Sequence, residues 1–196
     1  MITNDIKHWC ELPTEFGNFR MYDTGNEKVN LISYGDIQSL NNPVLLRVHS
    51  SCIASEVFRA LDCDCADQLS ESMRLISKQK NGIIIYLHQE GRGQGLSNKI
   101  KAVHLMQRKN IDTVEAFDSM NLENDVREYH LAVQILRNLN IDKVRLITNN
   151  PHKIKYFEVN GTIVQEEIHL SSIVREENRE YLQSKINKLN HQIQLN

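Results

Sequence analysis

Five consecutive apolar side chains, Ile83-Ile84-Ile85-Tyr86-Leu87, stand between Gly82 and His88. The run is short and rich in β-branched residues, and it does not alternate as a half-exposed strand would. It therefore reads as a strand covered on both faces, which requires helices above and below the sheet that holds it. Further short β-like runs occur at Asn18–Tyr22, Val29–Tyr34, Val44–His49, Gly82–His88, Lys143–Thr148 and Thr162–Ile168. Helical spacing is clearest at Ala132, Ile135, Leu136 and Leu139, which recur at i, i+3, i+4 and i+7. Leu69, Met73 and Ile76 form a second apolar stripe, and the segment from Leu96 to Lys109 a third. Strands alternate with helices except near the start, where no helix intervenes. The expected fold class is thus α/β, a single domain with a mixed sheet flanked by helices and antiparallel in its first part. The 196 residues contain no repeat and no Pro/Gly/Ser-rich linker. They divide into a domain over 1–175 and a helical tail over 176–196, packed on that domain or on a dimer partner.

Cys52, Cys63 and Cys65 follow the pattern C-x10-C-x-C, with Cys10 well apart. Three thiolates suit zinc and leave one tetrahedral position free, the arrangement of a catalytic rather than a structural site. A structural site would need a fourth ligand, for which His49 and Cys10 are candidates. Buried cysteines acting as small apolar groups are the alternative, but Asp62-Cys63-Asp64-Cys65 is a polar setting for that. The segment Arg47-Val48-His49-Ser50-Ser51 delivers polar groups where a strand ends, the usual position of ligands in α/β sheets. The central strand runs into Glu90-Gly91-Arg92-Gly93-Gln94-Gly95, whose glycines allow close approach of backbone to a phosphate. As a lone glycine-rich loop it matches neither the Walker nor the dinucleotide pattern.

Charge and hydropathy exclude other classes. The 23 Lys and Arg against 25 Asp and Glu give net −2, which argues against a protein that coats nucleic acid. No apolar run approaches the roughly 18 residues of a membrane span, and the N-terminal residues lack the apolar core of a signal peptide. The expectation is a cytoplasmic protein with neither a membrane nor a nucleic acid as partner.

RVHSSC, DCDCADQL, HQEGRGQGLSNKI, DTVEA, NDVREY and VRLITNNPHK occur in the order and spacing of GTP cyclohydrolase II, and ELPTEFGNF, LISYGDI and ENREYLQSKINKLNH extend the match. The chain resembles that family over nearly its whole length. The resemblance implies a zinc-dependent hydrolase that opens the imidazole ring of GTP and releases formate and pyrophosphate in the first step of riboflavin synthesis. One Zn2+ per chain would be held by Cys52, Cys63 and Cys65, with Mg2+ assisting at the nucleotide phosphates and a homodimer as the assembly. Carried over by position, Arg47, Val48, His49, Ser50 and Ser51, together with Glu90, Gly91 and Arg92, would meet the nucleotide. Gln68 corresponds to a base-contacting glutamine, and Thr113, Thr148 and Lys153 to the remaining contacts. Asp125 and Arg127 match the pair assigned as general base and as the group attacking the α-phosphate. Stabilisation of phosphate charge suits a permanently protonated guanidinium better than attack does. Asp125 is also expected to cap a helix over Val126–Leu139.

Departures from the family pattern cluster around the chemistry. Ser51, Ala54, Ser55, Glu56, Asp62, Ala66 and Gln94 stand where the family usually has other residues. Val103 occupies the position of its catalytic tyrosine, with His104 adjacent as a surface residue. Three readings follow: a full GTP cyclohydrolase II; a diverged paralogue that retains the formyl group or takes another purine nucleotide; and a non-catalytic protein that binds zinc and nucleotide.

Overall fold

The computed structural model describes Ile6 and residues 8–195. Strands β1 (Trp9–Thr14), β2 (Gly17–Tyr22), β3 (Val29–Tyr34), β4 (Val44–Ser50), β5 (Gly82–Leu87), β6 (Lys143–Ile147) and β7 (Ile163–Ile168) form one sheet in the order β1-β2-β3-β5-β4-β6-β7. The pairs from β1 to β5 are antiparallel, whereas β5–β4, β4–β6 and β6–β7 are parallel. The mixed α/β sheet expected from the sequence is therefore present, with its antiparallel part where intervening helices are lacking.

Helices α1 (Ile53–Glu56) and α2 (Cys65–Gln79) link β4 to β5. The crossover from β5 to β6 carries α3 (Gly95–Lys109), α4 (Thr113–Ser119) and α5 (His130–Asn138); α6 (Pro151–Val159) precedes β7, and α7 (Arg179–Leu189) follows it. Period two decides which face each sheet residue serves. On β4, Val44, Leu46 and Val48 pack with Ala132, Ile135 and Leu136 of α5 and Phe157 of α6. Leu45 points the other way, to Ile84 and to Ile76, Leu69 and Met73 of α2. The apolar run at 83–87 thus needs both helix layers, and Ile83, Ile84, Ile85 and Leu87 are fully buried.

Arg47 and His49 share the α2 face with Leu45, so the end of β4 turns two cationic or basic side chains toward the start of that helix. No helix among the described residues is long and apolar enough to cross a membrane.

One boundary differs from expectation. The helix expected from Val126 begins at His130, with Tyr129 at its N-cap position. Asp125 does not cap it. Its carboxylate instead accepts the backbone N–H and the guanidinium of Arg127 in a local turn, which uses the lone pairs a cap would have offered.

Candidate active site

The cavity lies beyond the carboxyl ends of β4 and β6, and α7 closes it from the far side. Five cations line it: Arg47, Arg92, Arg127, Lys153 and Lys185. Among the described residues, no carboxylate lines it. Arg47 is buried and held on three sides, donating to Ile147 O at 3.2 Å, Gln68 Oε1 at 2.7 Å and His49 Nδ1 at 3.2 Å. Because a guanidinium only donates, Nδ1 of His49 must accept, and Nε2 then donates to Glu56 Oε1 at 2.9 Å. His49 is thus a neutral ring with both nitrogens engaged, in keeping with a pKa lowered by burial. It is not free to act as a fourth metal ligand. Burial likewise brings Arg47 down to about 10 and Lys153 well below its ordinary value, the latter reinforced by the charges of Arg47 and Arg127. Lys153 Nζ donates to Val48 O at 2.6 Å, tying α6 to β4.

Several donors on this cavity remain unpaired. The Nη1 and Nη2 atoms of Arg92, Nε of Arg47 and Oγ of Ser50 are buried without a hydrogen-bond partner. A buried unsatisfied guanidinium is costly, so its retention marks a place for an anion. The loop that presents Arg92 adopts left-handed backbone at Gly91 (φ 61°), Arg92 (φ 57°) and Gly93 (φ 90°). At Gly93 a side chain would meet Val126 Cγ2 at 2.9 Å and its backbone C and O at 3.0 Å. Val126 N donates to Arg92 O at 3.0 Å, so this loop and the Asp125–Arg127 turn are locked together. Burial pushes the Asp125 carboxyl up, but its bonds to the Arg127 guanidinium outweigh that and hold it below the ordinary range.

The three cysteines come together beside the cavity. Their sulfurs lie within 4.8 Å of one another, with Cys52 Sγ and Cys63 Sγ 3.7 Å apart. Tetrahedral coordination with sulfurs about 2.3 Å from zinc requires S···S separations of about 3.8 Å, so the donor set fits that ion. Cys65, the first residue of α2, also lines the cavity. Hydrogen bonds from Cys63 and Cys65, with Lys99 Nζ at 3.0 Å, draw the Cys52 thiol far below its ordinary pKa and push the other two up in return. Cys10 is exposed on edge strand β1, separate from this group.

Glu90 accepts from Lys99 at 2.8 Å and from Ile53 N at 2.7 Å, bracing the loop against α1. Gln68 donates to Asp64 Oδ2 at 2.6 Å while accepting from Arg47. Ser51 N donates to Leu87 O at 2.9 Å, extending the β4–β5 pairing. Thr148 sits at the cavity, its Oγ1 accepting from Asn150 N at 3.1 Å. Of the nucleotide contacts expected from the sequence, Arg47, His49, Ser50, Gln68, Arg92, Thr148 and Lys153 line this cavity. Val48, Ser51, Glu90, Gly91 and Thr113 do not: the Val48 side chain packs in the core on the opposite face of β4, and Thr113 heads α4. Val103 and the exposed His104 on α3 also lie off the cavity.

Asp62 is exposed, whereas Asp64 is wholly buried and accepts from Lys185 Nζ at 2.6 Å and Ser172 Oγ at 2.7 Å. Sequence reasoning did not find Asp64, Lys185, Tyr181, Lys99 or His191. The tail motif ENREYLQSKINKLNH contained three of them, but nothing local signals that it folds back onto the cavity.

The fold and site are those of an α/β protein with a cation-lined cavity at the ends of parallel strands, beside a thiol cluster that could hold a metal ion. The chain belongs to the GTP cyclohydrolase II family, which residues 5–169 match. The riboflavin biosynthesis protein RibBA of Bacillus velezensis is 43% identical over 184 residues, covering 92% of this chain and 46% of the relative. That of Bacillus cereus is 40% identical over 200 residues, covering 100% and 49%; that of Chlorobium phaeovibrioides is 40% identical over 186 residues, covering 93% and 45%. The chain spans about half the length of these curated relatives. A crystal structure of RibBX, a two-domain 3,4-dihydroxy-2-butanone 4-phosphate synthase from A. baumannii, aligns at 12% identity with a TM-score of 0.42, covering 85% of this chain and 40% of that one.

Proposed function

We propose that the chain is a cytoplasmic, zinc-dependent GTP cyclohydrolase II that opens the imidazole ring of GTP and releases formate and pyrophosphate. The observation that carries this reading is the unpaired, buried guanidinium of Arg92 in a cavity with five cations and no carboxylate. A triphosphate satisfies both the donors and the charge.

Arg47, Arg92 and Lys153 hold the phosphates, and Ser50 Oγ adds a neutral donor. Arg127 presents a planar fork to the charge that develops on a phosphate as it leaves. Asp125 fixes that fork from behind. A carboxylate held below its ordinary range is a poor base, so we assign it to orientation of Arg127. Gln68, already oriented by Asp64 and Arg47, has one amide hydrogen and one carbonyl lone pair left for a purine edge. Cys52, Cys63 and Cys65 would hold the zinc ion, which supplies Lewis acidity for the hydrolytic steps when bound. Mg2+ would arrive with the phosphates, and the assembly proposed is a homodimer, checked by sedimentation equilibrium.

Incubation of the zinc-loaded chain with GTP and Mg2+, followed by mass spectrometry and a formate assay, tests the reaction. The expected outcome is equimolar formate and pyrophosphate with the deformylated pyrimidine. Val103 favours a second reading, because it offers no hydroxyl on α3 and does not line the cavity. Accumulation of a ring-opened product that keeps its formyl group would establish that diverged activity. GTP bound but unchanged at full zinc occupancy would refute both.

A further inference from the structure

After β7 the chain turns back across the cavity. Ionic contacts hold this return at three places: Arg175 on Asp67, Lys185 on Asp64, and Lys188 on Asp112. At its end, Gln192 N donates to Asn149 O at 2.9 Å and Ser172 N to Gln194 O at 3.0 Å, so the last residues are bonded to the segments that follow β6 and β7. The closure turns Tyr181 and His191 onto the same cavity as Cys65, Arg92 and Gln68. The hydroxyl of Tyr181 and the ring nitrogens of His191 have no hydrogen-bond partner among the described residues. Unlike the buried terminal nitrogens of Arg92, these groups keep some solvent access, and they are open to hydrogen-bond with a ligand in the cavity.

Their chemistry differs from that of the cations. Burial, with the charges of Lys185, Arg127 and Lys153, brings His191 down to about 3, and burial raises the Tyr181 phenol. Both are therefore neutral near pH 7. Five cations already answer the phosphates, whereas neutral groups that donate and accept suit sugar hydroxyls and the edge of a heterocycle.

We infer that Tyr181 and His191 contact the nucleoside half of the bound nucleotide, making the C-terminal segment a wall of the site rather than an appendage. The inference rests on the nucleotide reading of the cavity but not on turnover.

Calorimetric titration of the zinc-loaded full chain with two probes separates these. One probe is 7-deaza-GTP, whose five-membered ring has no amidine carbon to hydrolyse; the other is tripolyphosphate, which lacks the nucleoside. Each of Tyr181→Phe and His191→Ala is expected to weaken 7-deaza-GTP binding about tenfold, the effect of one enclosed hydrogen bond, and to leave tripolyphosphate binding within about twofold. A loss in one variant alone confines the contact to that residue. Unchanged 7-deaza-GTP affinity in both, or a parallel loss for both probes, overturns the inference. Wild-type protein that binds 7-deaza-GTP but leaves GTP intact refutes the hydrolase reading alone, and failure to bind 7-deaza-GTP refutes both.

Discussion

Lys185→Met should cost the fold about 3 kcal/mol. Asp64 is 0% exposed and Lys185 8% exposed, and they meet at 2.6 Å. Removing one member of a buried ion pair leaves an uncompensated charge, which costs about 3–5 kcal/mol. The lower end applies because Asp64 still accepts from Gln68 and Ser172. For a chain of this size, each kcal/mol moves the melting temperature by about 2–4 °C, so Tm should fall by about 6–12 °C. Urea titration of Lys185→Met, Asp64→Asn and the double variant measures the coupling directly. The double variant should be less destabilised than the sum of the single ones by about 2 kcal/mol or more. The pair also sets acid stability. Burial alone would raise the Asp64 pKa, but Lys185 and the hydrogen bonds hold it below the unfolded value of about 3.9. The stabilisation is thus complete at neutral pH and lost as pH falls below the unfolded value; in Lys185→Met this acid-dependent loss shrinks, and the cost of the substitution itself diminishes on acidification as the uncompensated carboxylate takes up a proton. A cost under about 1 kcal/mol with no coupling would show an interaction no stronger than a solvated surface pair, and the reasoning would fail.

Cys63→Ser should lower bound zinc well below one ion per chain by elemental analysis while Cys10→Ser leaves it unchanged; equal zinc in both would remove the thiol cluster as the metal site. Gly93→Ala should destabilise by about 2 kcal/mol, combining left-handed backbone strain with contacts of 2.9–3.0 Å on Val126, and should weaken tripolyphosphate binding because Arg92 moves with it. Ile84→Ala, on the central strand and 1% exposed, should cost about 2–5 kcal/mol in urea unfolding without changing zinc content. The folded-state pKa of His191, about 3, lies below its unfolded value of about 6.5, so its contribution is full above that value and is lost as pH falls through the interval. His191→Gln should flatten stability against pH there, and an unaltered slope would contradict the buried neutral ring.

What could be read from the sequence was whatever has a short-range signature. The double-sided apolar run at 83–87 announced the middle of the sheet, and the spacing of Ala132, Ile135 and Leu136 announced α5. β1 carried no such signal: Trp9–Thr14 contains Pro13, sits at the sheet edge and is mostly exposed, so no core-facing alternation marks it. The start of α5 was misplaced because an Asp before an apolar stripe resembles an N-cap, whereas Asp125 spends its oxygens on Arg127. In the site, C-x10-C-x-C and the strand end at Arg47–Ser51 were legible for the same local reason. Asp62 drew attention by its place before Cys63, yet the residue that matters electrostatically is Asp64. Its partner Lys185 lies 121 positions away, and no local pattern connects them.

The same separation explains why a chain of net −2 can hold five cations around one cavity. Like charges gathered in a low-dielectric site repel, and burial alone penalises each one. Here the carboxylates stand behind the lining rather than in it. Asp64 supports Lys185 directly and Arg47 through Gln68, and Asp125 supports Arg127. Each acid offsets part of the desolvation of its cation while leaving the cavity-facing surface positive. Arg92 and Lys153 have no carboxylate at hydrogen-bonding distance, and Arg92 keeps its terminal nitrogens free. The unbalanced charge is therefore concentrated on the residues that face the open space, where a polyanion would complete the balance. Bulk composition averages the two populations and conceals the site; only the pairing of each acid with a specific cation shows which positive charges are left for a ligand.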